Sequence, residues 1–179
     1  MLRFLRHLFR RKTAFLQTIP AAKQEHSLPD LNRRWACCSD FADRAKNHCH
    51  AVCLCNLLSY LFPKQQISFS EVHKIVKNGP VFTLRKAKRL FSSYHLPLSA
   101  EKLRNYEDLK TALSHENPCM ILMANHLCDW HWILALGFAE TDDGQQFVRI
   151  ADGWHPDCDR WYAVEKNAEW LAAYTIKKT

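Results

Sequence analysis

Cys49, His131 and Asp152 follow one another along the chain in settings from which thiol chemistry can be built. A thiol becomes a useful nucleophile when its thiolate is stabilised, and a helix N-terminus does this with its outward N–H groups and positive dipole end. Cys49 stands where such a terminus is expected. From it run Ala51, Val52, Cys53, Leu54, Cys55, Leu57, Leu58, Tyr60, Leu61 and Phe62, with Pro63 as the stop. The thiolate also needs an imidazole to pair with it and to protonate a leaving group, and that imidazole needs a partner that fixes its tautomer. His131 opens an apolar run, and Asp152 closes the next one.

The elements around these residues must then do the positioning. A segment apolar on every side predicts a buried helix from Cys49. Ser68 and Glu71 have capping-box spacing before a short helix ending near Gly79. Phe82 to Tyr94 reads as a basic amphipathic helix with Leu84, Ala87, Leu90 and Phe91 inward, and Tyr106 to Leu113 as a further short helix. After Pro118 the texture changes to strands: Cys119 to Met123, Trp132 to Phe138, Phe147 to Ala151, then Trp161 to Val164 and Tyr174 to Ile176. Asp142-Asp143-Gly144 supplies a hairpin turn between the second and third of these. Helices first and sheet second predict an α+β fold, with the helix of Cys49 packed on a C-terminal antiparallel sheet. The hairpin sets the start of one strand beside the end of the next, so His131 and Asp152 meet at one edge.

At 179 residues and 47% hydrophobic, the chain is long enough for one sizeable core. We expect a domain over 35–179 preceded by a basic extension and linker over 1–34. Residues 2–12 place leucine and phenylalanine on one helical stripe and arginine on the other, suited to an anionic membrane surface or a partner groove, or to packing on the domain itself. Eight cysteines, with Cys37 and Cys38 adjacent and Cys49, Cys53 and Cys55 clustered, fit reduced thiols better than a disulfide framework. No signal-peptide core or run of membrane-spanning length is visible, which points to the cytoplasm. The net charge of +7 comes largely from residues 3–12 and 85–89, and no zinc-finger spacing, RNP-type strand or phosphate loop accompanies it. Nucleic acid is therefore not expected as a partner.

The stretch Asn47-His48-Cys49-His50-Ala51-Val52-Cys53-Leu54-Cys55-Asn56-Leu57-Leu58 resembles the nucleophile helix of the bacteriocin-processing, double-glycine-leader peptidases in the papain-like cysteine peptidase superfamily. His131-Trp132-Ile133-Leu134-Ala135-Leu136-Gly137 is similar to their histidine strand, and Val148-Arg149-Ile150-Ala151-Asp152-Gly153-Trp154 to the strand that ends in their aspartate. The likeness covers roughly residues 40 to 164. It implies a papain-like Cys-His-Asp hydrolase that cuts peptide or isopeptide bonds of a peptide or protein substrate through an acyl-enzyme, as a monomer and without a cofactor. Two departures stand out. His50-Ala51-Val52 replaces the family's Gly-Pro-Thr, and its oxyanion glutamine falls on Asp43, whose carboxylate would repel a developing oxyanion. Either the backbone N–H groups of Cys49 and His50 suffice, or Asn47 supplies the donor, or the hole is incomplete; Asn47 is the choice made here.

Other readings compete. Cys53 and Cys55 lie a turn or more inside the helix, where packing outweighs the dipole, and His126 is the second choice for the base. Zinc is the main alternative, through His48, Cys49, His50 and Cys53 or through Cys128, His131, His155 and Cys158, although neither group has zinc-finger spacing. A binding protein that kept the fold and lost the chemistry is the third. Of the tryptophans near the site, Trp132 reads as core, Trp154 as a shield over His131 and Asp152, and Trp130 as a wall of the cleft.

Overall fold

The longest strand organises the molecule. The computed structural model describes residues 15–42, 47–78, 84–126, 129–165 and 170–179. In it β4, Asp129–Thr141, carries three neighbours, all antiparallel. The other strands are β1 (Ala22–Ser27), β2 (Leu98–Leu103), β3 (Cys119–His126), β5 (Gln146–Ala151), β6 (Arg160–Ala163) and β7 (Ala172–Lys178). They form one seven-stranded sheet in the order β2-β7-β3-β4-β5-β6. β1 pairs with the far end of β4, from Gly137 to Thr141, beyond the stretch from Asp129 to Ala135 that β3 occupies.

Four α-helices among the described residues complete the α+β architecture: α1 (Cys49–Leu61), α2 (Phe69–Val76), α3 (Leu84–Ser93) and α4 (Tyr106–Ser114). In α1, His50 to Leu58 are all buried, as a helix apolar on every side must be. Each fully buried leucine there, such as Leu54, Leu57 or Leu58, contributes about 1.5–3 kcal/mol of transfer free energy. The helix stops at Phe62, ahead of Pro63. Asn105 caps α4 by accepting the Asp108 N–H at 2.9 Å. At α2 the expected capping box gives way to a tertiary contact. The Ser68 side chain makes no cap bond; the Ser68 N–H donates instead to the Tyr94 hydroxyl (3.1 Å), which donates to Glu71 (2.8 Å). This ties the start of α2 to the chain just after α3. No helix among the described residues is long and apolar enough to cross a membrane.

The extension and linker expected over 1–34 holds β1, and Leu28 and Trp35 enter the core. Alternation was too weak to reveal this strand, since Lys23, Gln24 and Glu25 are exposed; its pairing with β4 defines it. β2 escaped notice for the same reason, with Glu101 and Lys102 facing solvent and β7 supplying the pairing. Residues 2–12 lie outside the described residues, as do 79–83, which include the expected start of the basic helix.

β1 crosses so close to Gly137 that a Cβ there would lie 2.6 Å from the His26 carbonyl oxygen and 2.8 Å from Ser27 Oγ. Because the nearest obstacle is backbone, Gly137→Ala is expected to destabilise the fold by about 2 kcal/mol, read as a lower urea midpoint with unchanged slope. An unchanged midpoint would show that β1 does not hold this edge.

Candidate active site

The chain enters α1 through Asn47, which is exposed and has φ +53°, and His48, whose Nε2 donates to the Cys38 carbonyl at 2.9 Å. Cys49 is the first residue of the helix and is half-buried. Its sulfur lies 3.9 Å from the Trp130 carbonyl, so the thiol sits against the residue just before His131. The next residue, His50, is fully buried and stacks on Trp132 with ring centroids 4.9 Å apart, which locks the helix start to β4.

A third segment closes on the same place. The side-chain amide of Asn56 accepts the Ala36 N–H (2.8 Å) and donates to the Ala36 carbonyl (2.9 Å), pinning residues 35–38 along α1. The Cys38 N–H then donates to the Gly153 carbonyl at 2.8 Å. Cys38, which the sequence did not single out, thus sits between Cys49 and the end of β5. Burial, and after it the Cys49 thiol, push the Cys38 thiol up to about 12, leaving it protonated at neutral pH.

The hairpin of β4 and β5 brings His131 and Asp152 together. His131 is buried, and its Nε2 lies 2.5 Å from the main-chain carbonyl oxygen of Asp152. A carbonyl can only accept, so this bond puts the proton on Nε2 and leaves Nδ1 as the basic nitrogen of the neutral ring. Trp154 covers one face of the imidazole, at 4.0 Å between centroids and 14° between planes, while remaining 39% exposed on its outer side. Trp132 is core and Trp130 is 45% exposed beside the thiol.

The Asp152 carboxylate is fully buried and faces away from that bond. Oδ1 accepts the N–H groups of Trp154 (2.8 Å) and His155 (2.9 Å). Oδ2 pairs with His155 Nδ1 at 2.7 Å and with Arg160 Nε at 3.4 Å. The carboxylate therefore builds the turn, with Gly153 at φ +73°, that sets the Asp152 carbonyl and the Trp154 ring against His131. Sequence reasoning expected Asp152 to orient the histidine directly. The contact comes from its backbone, because the turn folds the carboxylate back onto its own N–H groups. His155 and Arg160 were not foreseen as its partners; the only local sign was an aspartate two and three residues ahead of the N–H groups it accepts.

Five described members of the two zinc groupings have other partners. The His48 ring is bonded to Cys38, His50 lies on Trp132, His131 and His155 meet opposite ends of Asp152, and Cys158 points its thiol at the Leu31 carbonyl, 3.7 Å away. Among the described residues no three histidine, cysteine or acidic side chains converge as a metal site. Asp43, Cys128 and the His126 side chain lie outside the described residues.

No protein-family model matches this chain, and no curated protein matches it. Its fold is similar to that of a crystal structure from Bacillus anthracis, provisionally described as a C39-like peptidase. The TM-score is 0.55 at 13% identity, over 95% of this chain and 99% of that one. At this identity the likeness speaks for the fold.

Proposed function

We propose that the chain is a papain-like thiol hydrolase that cleaves peptide or isopeptide bonds through an acyl-enzyme on Cys49. The observation that carries the reading is the assembly at the start of α1: a half-buried thiol against the carbonyl of Trp130, the residue that precedes His131, whose Nε2 proton is fixed by the Asp152 carbonyl. The fold likeness to a protein described as a C39-like peptidase supports it.

In this reading His131 Nδ1 takes the Cys49 proton, and the thiolate attacks the substrate carbonyl carbon. The oxyanion is met by N–H groups of the first turn of α1 and by the Asn47 side chain, which the left-handed backbone at Asn47 leaves exposed beside the helix start. His131 returns the proton to the leaving amine as the C–N bond breaks, and then activates the water that hydrolyses the thioester. Trp130, half-exposed at the thiol, offers an apolar surface to the substrate chain. The catalytic unit takes in β1 together with residues 35–179, and the basic segment over 2–12 is a docking element for an anionic surface or partner.

Alkylation of the folded protein with one equivalent of iodoacetamide at pH 7, mapped by mass spectrometry, tests this. Label is expected on Cys49 alone, with His131→Ala slowing it about a hundredfold. A Cys49 rate no faster than that of an unstructured cysteine peptide would sink the proposal.

A further inference from the structure

The Asp152 carboxylate is a buried charge whose one strong side-chain hydrogen bond comes from a residue outside the proposed triad. His155 Nδ1 lies 2.7 Å from Oδ2, and since a carboxylate only accepts, Nδ1 is the donor. Arg160 faces the same oxygen at 3.4 Å, but its Nε makes no hydrogen bond, so it supplies charge without direction. The other oxygen holds the N–H groups of Trp154 and His155. The orientation of the carboxylate, and with it the turn from Asp152 to His155, is therefore held by these two N–H groups together with the His155 ring, the side chain that donates to it. That turn carries two groups that hold His131: the carbonyl on Nε2 and the indole on the ring face.

We propose that His155 is a positioning residue for His131, acting through the Asp152 carboxylate: a second imidazole that keeps the first in its Nε2–H tautomer and in place. The inference rests on the thiol-hydrolase reading above and adds a residue to that site. His155 is about half-exposed and lies at the end of the turn, where it contributes little to the core. The groups facing it are Asp152 and, across the same carboxylate, Arg160.

The experiment compares the full-length wild type with His155→Ala and His155→Asn. Asparagine is chosen because its Nδ2–H can donate to Oδ2 from nearly the position of the histidine Nδ1. Two signals are read: the His131 tautomer, by long-range proton–nitrogen NMR, and the pH profile of Cys49 alkylation. In His155→Ala the His131 ring is expected to lose its single Nε2–H tautomer. The alkylation rate at pH 7 should fall about ten- to a hundredfold, as for a misplaced catalytic group, with the profile displaced to higher pH. In His155→Asn both signals should recover to within about threefold in rate. Unchanged tautomer and profile in His155→Ala would overturn the proposal, and so would a His155→Asn protein as impaired as the alanine variant at equal thermal stability. Slow Cys49 alkylation in the wild type itself would overturn the hydrolase reading and this one together, which separates the two failures.

Discussion

Replacing Cys49 by alanine is expected to abolish the acylation burst with p-nitrophenyl acetate and to lower its turnover by about 10⁴-fold, the scale on which a covalent nucleophile acts with its base. An activated ester reads acyl transfer without requiring knowledge of the peptide sequence cleaved. The proposal of Cys49 is supported by the state of the other described thiols. Burial lifts the thiols of Cys37, Cys38, Cys53, Cys55, Cys119 and Cys158, to about 12 at Cys38, Cys55 and Cys119. A thiol held that high is a small hydrophobe at neutral pH, whatever its distance from an imidazole. Cys53 illustrates the point: one turn along α1 from Cys49, it is fully enclosed, and both Cys49 and Cys38 add to the effect of burial on it. His131→Ala should fall nearly as far as Cys49→Ala, and the double variant no further than Cys49→Ala alone, because the two residues act as one unit. A burst that survives in Cys49→Ala, or full additivity of the two losses, would contradict the mechanism. Alanine at Cys49 removes one half-buried sulfur, so the thermal midpoint should move by only a few degrees and the loss of turnover cannot be put down to unfolding.

Much of this arrangement was legible before any coordinates because the strongest signals are periodic and local. The apolar run from Ala51 to Leu61 is too dense for a surface helix, and the runs ending at Phe138 and Ala151 are separated by an Asp-Gly turn, so helix and hairpin both follow. From the hairpin it also follows that positions 131 and 152 lie at one end. The rest depended on contacts between segments distant in sequence. Nothing about Ala36 or Asn56 announces that one amide clamps the other's backbone, and that clamp brings Cys38 to the site. β1 and β2 are polar enough to pass for loops until an edge accepts them. The direction of the Asp152 carboxylate was equally hidden, because it is decided by the left-handed Gly153, by the N–H groups of Trp154 and His155 and by the His155 ring. A sequence can thus bring residues to one end of a hairpin while leaving open which of their atoms face one another.

The residue beside Cys49 should make the fold acid-labile. His50 is fully enclosed between α1 and β4, and burial, helped by the nearby Lys86 ammonium, holds its imidazole down at about 3. In the unfolded chain the same group titrates near 6.5. Between those values the unfolded state binds a proton that the folded state refuses, so stability rises with pH across the window. His50 therefore costs the fold almost nothing above about pH 7, about 2 kcal/mol at pH 5, and about 4 kcal/mol at pH 3, where the folded group is itself half-protonated. His50→Phe keeps a flat ring against Trp132 and removes the titration. Urea unfolding followed by tryptophan fluorescence should give two proteins of similar stability at pH 7, with the wild type losing about 2 kcal/mol more than the variant on going to pH 5. Equal losses would mean that His50 takes its proton inside the fold, against the burial seen here. Because His50 follows Cys49 directly and seats the helix start on Trp132, the same variant should retain Cys49 alkylation after exposure to pH 4 under conditions where the wild type has unfolded.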